Sequence, residues 1–365
     1  MKNIAVFFGG QSVEHDISVI TGVMTVNSLN REKYNAIPIF VDVKGEWYTG
    51  ENLKDLDNYK KLEYKKLDKV TFLGGDNRLY KIKGKKIKPL CSIAVCVNCM
   101  HGERGEDGSL AGYLNMCGIP LASPPLTPSA VCMDKALTKN LLKSFKIKTL
   151  VGVLVNNIDQ IDQVNSQISF PVIVKPNRLG SSIGISRANN LDELIGAVNY
   201  ALKFGEEALI EPCLENFTEI NCAVYALSDG EIKVSECERP VGRTEILTFT
   251  DKYQSGKRVF PADIDKKLSD KIKEISKKIY INFSFKGVVR IDFFIVNGQV
   301  LVNEINTVPG SLAYYLFSDT LKGLSNMLDQ LIATAEKDYA KSLTVQKSYN
   351  SGILAISGGK GAKRL

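Results

Sequence analysis

The sequence predicts a mixed α/β and α+β architecture of more than one domain, and three observations predict it. The N-terminal third alternates strand-like apolar runs with helix-spaced runs across Gly-rich turns. Such βαβ alternation implies a mostly parallel sheet with ligand loops at the strand C-termini. A Pro-rich break, "GIPLASPPLTPSA", then marks a boundary near residues 119–130. Beyond it, residues 207–300 are rich in strand-like runs around one amphipathic helix.

The elements follow in order. "NIAVFFGG" reads as a first strand entering a Gly turn, "SVEHDISVITGVMTVNSL" has helical spacing, and "NAIPIFVD" is a second strand. "SIAVCVNCMHGERGEDGSLAGYLNMCG" repeats strand, Gly-rich loop and helix. After the break, "MDKALTKNLLKSF" is a helix and "FPVIVKPNRLGSSIGISRA" is a hairpin around a Gly/Ser turn. "EALIEPCLE", "INCAVYAL" and "VVRIDFFIV" are strands, and "DKKLSDKIKEISKKIYINF" is the amphipathic helix.

Composition limits the function classes. At 365 residues, with 44% apolar and 24% charged side chains, the chain has ordinary globular proportions. No apolar run reaches the about 18 residues of a transmembrane helix, and the start reads as a strand and not as a signal peptide. A cytoplasmic protein without membrane or nucleic-acid partners is therefore expected. The net charge of +7 is mild, and "YKKLEYKKLDK" and "KIKGKKIK" read as solvated faces beside hairpin turns. Cys96 and Cys99 form a C-x-x-C without a second zinc-spaced pair, so buried reduced thiols are expected. Two histidines, His15 and His101, leave little basis for a His-rich metal site or a Ser-His-Asp triad.

Chemistry gathers in three stretches. In "LVNEINTVPGSLAYYL", Glu304 and Asn306 are two apart among the apolar Leu301, Val302 and Ile305 of a strand, so they share one face. A buried carboxylate is costly unless paired or bound to a metal. In "VVRIDFFIV", Arg290 and Asp292 have the same spacing. They read either as a structural ion pair or, with Glu304 and Asn306, as a hard-oxygen site for Mg²⁺ flanked by an arginine suited to phosphate or an oxyanion. "KPNRLGSSIG" sets Lys175 before a small-residue loop whose backbone N–H groups suit phosphate. It lacks the Walker ending, and read alone it is equally a plain turn.

Together these motifs resemble the D-alanine–D-alanine ligase family of the ATP-grasp superfamily. The likeness runs from "FFGGQSVEHDISVITG" through "HGERGEDGSLAGYL", "MDKALTK", "FPVIVKPNRLGSSIGIS", "LIEPCLENFTEIN", "DKY" and "GVVRIDFF" to "VNEINTVPG". It implies a Rossmann-like domain over residues 1–122, a central ATP-grasp lid domain over 123–210, a C-terminal ATP-grasp domain over 211–345 that clasps ATP with the lid, and a tail over 346–365. It implies ATP-dependent joining of two D-alanines through an acyl phosphate for peptidoglycan synthesis, with Mg²⁺ or Mn²⁺, two ions being usual, and a homodimer. D-Serine or D-lactate as second substrate, or a non-catalytic ATP-binding protein, are the alternatives.

The resemblance also assigns residues. Lys135, Lys175 and Lys252 match phosphate-contacting lysines, Glu211 and Leu214 the adenine side, and Glu219 a ribose acceptor. Asp292, Glu304 and Asn306 match the metal ligands. Glu14 matches the carboxylate that holds the first ammonium, with an N-cap role as the plain alternative. Ser181 and Tyr253 match its hydrogen-bonded partners, and Arg290 the residue that steadies the tetrahedral intermediate. His101 matches a first-subsite histidine, or else caps its Gly-rich loop. Gly310, Tyr315 and Leu316 fall in the second-substrate pocket, where Tyr315 stands in place of the family's usual serine.

Overall fold

The computed structural model describes residues 1–161, 167–241 and 258–351. The first sheet is built from β1 (Lys2–Gly9), β2 (Tyr34–Val41), β3 (Trp47–Thr49), β4 (Asp68–Leu73), β5 (Asp76–Lys83), β6 (Lys86–Ser92) and β7 (Val95–Asn98), in the order β6-β5-β4-β3-β2-β1-β7. Helix α1 (His15–Ser28) crosses between β1 and β2, which are parallel, as are β1 and β7. The expected mostly parallel sheet is confined to those three strands, and β3 to β6 pair antiparallel. The reason is local: β4–β5 and β5–β6 are joined by two residues each, Gly74-Gly75 and Gly84-Lys85. Links that short join only antiparallel neighbours.

Helix α2 (Ser109–Met116) is followed by α3 (Leu126–Met133) and α4 (Lys135–Ser144). The Pro-rich break is thus not wholly irregular, because α3 starts inside it. Pro128 sits in the first turn of α3, where its missing N–H costs nothing. Asp134 separates the two helices and caps α4, accepting from the Leu137 amide at 2.9 Å.

A second, antiparallel sheet has the order β10-β9-β11-β8, from β8 (Val153–Val155), β9 (Val172–Pro176), β10 (Ser186–Ala188) and β11 (Ala208–Pro212), with α5 (Leu191–Ala201) packed on it. β11 runs through the boundary expected between residues 210 and 211, so Glu211 belongs to this sheet. The third sheet is β13-β12-β16-β17, from β12 (Thr218–Ala226), β13 (Ile232–Val234), β16 (Val288–Val296) and β17 (Gln299–Asn306). A two-stranded ribbon joins β14 (Arg239–Pro240) to β15 (Arg258–Val259), and α6 (Lys266–Asn282) covers the third sheet.

Helix α7 (Leu321–Leu343) ties the ends of the chain together. Its Leu324, Leu328, Leu331 and Ile332 share one apolar core with Val23 and Val26 of α1, Val6 of β1 and Val288 of β16. Burying a side chain of this size contributes roughly 1.5–3 kcal/mol, so the shared core holds the first and third sheets in one arrangement. Cys96 and Cys99 are fully buried thiols, with Cys99 pushed up to about 12 by burial. Among the described residues no helix is long and apolar enough to cross a membrane.

Candidate active site

Helix α1, the loop after β7 and the Gly/Ser loop between β9 and β10 meet the third sheet around a cleft of about 610 Å³. Strand register builds its floor. β16 and β17 are antiparallel neighbours with Asp292 opposite Glu304 and Arg290 opposite Asn306. A bulge follows at once, because Phe293 pairs with Val302 and leaves Asn303 as the extra residue. Bulges re-aim side chains at sites of this kind. All four polar residues line the cleft. Arg290 grips Asp292 in a fork, Nε to Oδ1 at 2.7 Å and Nη2 to Oδ2 at 2.9 Å, and Asn306 Nδ2 donates to Asp292 Oδ2 at 2.9 Å. Burial opposes the charge on Arg290, but Asp292 outweighs it and the guanidinium stays protonated.

These residues fit a hard cation. Two carboxylates on adjoining strands and one amide face a single space, and a turn of the Asn306 amide would exchange its nitrogen for its oxygen. Lys135 reaches in from the first turn of α4, donating to the Leu179 carbonyl at 2.6 Å and lying 3.6 Å from Glu304. Burial lowers its pKa, and the Glu304 charge works against that fall.

Glu14 and Ser181 line the same cleft from α1 and the Gly/Ser loop. Ser181 Oγ donates to Glu14 Oε1. Glu14 does stand at the N-cap position of α1, but its side chain makes no cap bond. The Gly/Ser loop approaches so closely that a Cβ on Gly180 would lie 3.3 Å from Glu14 Oε2. The loop itself is tightly turned, with Ser181 and Ser182 at φ 55° and 57°.

His101 is buried against the same cleft, and its Nε2 lies 3.1 Å from Thr21 Oγ1, which also accepts from the Ser311 amide at 3.1 Å. Burial drops its pKa to about 4, against a smaller opposing hydrogen bond to the Val308 backbone, so the ring is neutral near pH 7. The turn after Pro309-Gly310 is strained: Ser311, Leu312 and Ala313 have φ of 53°, 52° and 49°. Left-handed backbone costs a non-glycine residue roughly 1 kcal/mol, and such runs persist where surroundings over-determine them. The result places Tyr315 against Arg290 and under Arg258, whose guanidinium is 4.8 Å from the ring centre.

Gly310, Tyr315 and Glu219 line the cleft, and Leu316 does not: it packs with Ala223 and Ala313. Lys175 and Glu211 also lie behind the lining, in a buried cluster where Glu211 pairs with Lys175 at 2.6 Å and with Lys139. Leu214 is half-buried outside the lining. Lys252 and Tyr253 lie outside the described residues.

Sequence reading overlooked Lys139, Glu106 and the trio Asn221, Glu238 and Arg258. Lys139 had a signal, four residues after Lys135 on one helix face. Glu106 accepts from the Gly102 amide at 2.9 Å and the Val308 amide at 3.2 Å. Enclosure and the nearby Glu14 charge hold its carboxyl well above the usual carboxylate range.

Comparison with known proteins follows the same lines. A family model described as D-ala D-ala ligase N-terminus matches residues 3–124, and one described as D-ala D-ala ligase C-terminus matches residues 144–334. A curated D-alanine–D-alanine ligase from Thermosipho melanesiensis is 37% identical over 99% of this chain and 100% of its own. The D-alanine-D-alanine ligase structure from Coxiella burnetii has TM-score 0.81 at 26% identity, covering 94% of this chain and 96% of that one. The VanG D-Ala:D-Ser ligase from Enterococcus faecalis has TM-score 0.79 at 28% identity, covering 92% and 99%.

Proposed function

This chain belongs to the D-alanine–D-alanine ligase family, and on that premise we propose that it joins two D-alanines into D-alanyl-D-alanine with ATP, for peptidoglycan synthesis. The observation that carries the reading is that two clusters line one cleft, Glu14 with Ser181 and Arg290 with Asp292, Glu304 and Asn306.

In the reaction, a carboxylate oxygen of the first D-alanine attacks the γ-phosphorus of ATP, and ADP leaves. The amine of the second D-alanine attacks the acyl carbon, and phosphate leaves with the carboxylate oxygen it gained. The amine gives up one proton in the same step, and the departing phosphate carries it away. Glu14 holds the first ammonium and keeps that substrate oriented, and Ser181 fixes the carboxylate. Lys135 and Lys175 meet the phosphates, Glu219 meets the ribose, and Glu211 and Leu214 meet the adenine once Glu211 exchanges a lysine for the base. Arg290 offsets the oxyanion on the tetrahedral carbon, where a fixed cation acts most strongly once water is excluded. Asp292, Glu304 and Asn306 would hold magnesium or manganese, two ions being expected, which when bound neutralise phosphate charge. Tyr253 and Lys252 complete the Glu14 and phosphate ends on sequence grounds.

An acyl phosphate hydrolyses readily, so the cleft must exclude water during turnover. Tyr315 narrows the second-substrate end compared with a serine, which favours a methyl side chain. Cytoplasmic location and a homodimer belong to the same proposal. Phosphate release by purified protein with ATP, Mg²⁺ and a panel of D-alanine, D-serine and D-lactate tests it, with product masses read. D-Alanyl-D-alanine should dominate. A dominant D-Ala-D-Ser product would overturn the Tyr315 argument, and a dominant ester would overturn amide formation.

A further inference from the structure

Asn221 lies on β12 directly opposite Asp292 of β16, so its side chain shares the cleft-facing side of the sheet. It is 6% exposed. Its Nδ2 donates to Glu238 Oε2 at 3.2 Å. A carboxylate only accepts, so the amide orientation is fixed by chemistry, and Oδ1 is the atom left over. Oδ1 is buried with no hydrogen-bond partner among the described residues. Leaving such an acceptor unpaired costs about 1–3 kcal/mol, so a buried orphan beside a cleft points to a ligand donor.

The charges around it are already matched. Glu238, 5% exposed, pairs with Arg258 at 3.3 Å, and Asp292 pairs with Arg290. Arg258 also covers the Tyr315 ring and donates to the Tyr315 carbonyl at 3.4 Å. Asn221 therefore holds a neutral acceptor opposite Asp292, joined to Tyr315 through Glu238 and Arg258, whereas Glu14 gives the same cleft a charged one.

That difference has a chemical consequence. A carboxylate stabilises an ammonium and raises its pKa. An amide oxygen, carrying no net charge, accepts an N–H while favouring the charged form much less than a carboxylate does. An amine that must attack with its lone pair is served by the second kind of acceptor. We propose that Asn221 Oδ1 is the hydrogen-bond acceptor for the attacking amine of the second amino acid, and that Glu238 and Arg258 hold it in place. The proposal rests on the ligase reading above.

The test is Asn221→Leu, with separate KM values measured for the first D-alanine, the second D-alanine and ATP, and with Mn²⁺ affinity of the resting protein. The KM for the second D-alanine should rise about tenfold or more, and the other three constants should stay within about twofold. Asn221→Ser, too short to reach, should give the same pattern and guards against a misfolded leucine variant, with thermal melting as the check. An unchanged second KM in a folded, active variant overturns the proposal alone. A shift confined to ATP or Mn²⁺ overturns it too and moves Asn221 to the nucleotide. Wild-type protein that makes no dipeptide overturns the ligase reading and this assignment with it.

Discussion

Ser181 donates its hydroxyl hydrogen to Glu14 across 167 positions of sequence, joining the Gly/Ser loop of the second sheet to the start of α1 beside the first. The contact holds a buried carboxylate at a fixed point of the cleft. Glu14→Gln keeps the shape and removes the charge. The KM for the first D-alanine should rise ten- to a hundredfold, since a hydrogen bond to a charged group is worth about 1.5–3 kcal/mol, with the KM for ATP little changed. Steady-state kinetics with each substrate varied in turn measures both.

Glu304 tests the floor of the cleft. Glu304→Gln should lower kcat by about a hundredfold or more and leave the melting temperature within a few degrees, because its side chain is 27% exposed and not a core group. Chelation of divalent cations should abolish wild-type turnover, and Mg²⁺ or Mn²⁺ should restore it. Near-normal activity in Glu304→Gln would remove it from the ligand set.

His101 gives the protein an acid-side weakness. Its folded pKa, about 4, lies below the ordinary 6.5, and burial is the main cause. An unfolded chain therefore binds this proton first, so stability is whole above pH 6.5 and is lost as pH falls toward 4. The full difference is on the order of 3 kcal/mol. Melting temperatures between pH 7 and 4 should fall less steeply in His101→Asn than in wild type, and an equal slope would contradict the assignment.

The Lys139–Glu211–Lys175 cluster should matter to folding. Lys139→Ala removes one of two cations on a carboxylate that is 2% exposed. Breaking a buried pair of this kind costs on the order of 3 kcal/mol. A denaturant midpoint unchanged from wild type would show that Lys175 suffices alone.

The parts of the site that sequence could reveal are those with local periodicity. Glu304 with Asn306, and Arg290 with Asp292, are two apart on apolar strands, and that spacing alone puts each pair on one face. What spacing cannot give is register: that Asp292 faces Glu304 depends on β16 and β17 pairing with a bulge at Phe293. The trio of Asn221, Glu238 and Arg258 was invisible for the same reason. Its members meet only because residues 221 and 238 bridge across strands and β14 pairs with β15. The first sheet misled for the opposite reason. The βαβ signal at β1, β2 and β7 was real, and the two-residue Gly links of β4 to β6 carried the antiparallel remainder.

The acyl phosphate is the central claim, and oxygen transfer tests it most directly. D-Alanine labelled with ¹⁸O in its carboxylate is incubated with the enzyme, ATP and Mg²⁺, and the released phosphate is analysed by mass. Attack of that carboxylate on the γ-phosphorus requires one ¹⁸O in each phosphate formed with each dipeptide. Dipeptide accompanied by unlabelled phosphate would contradict the account.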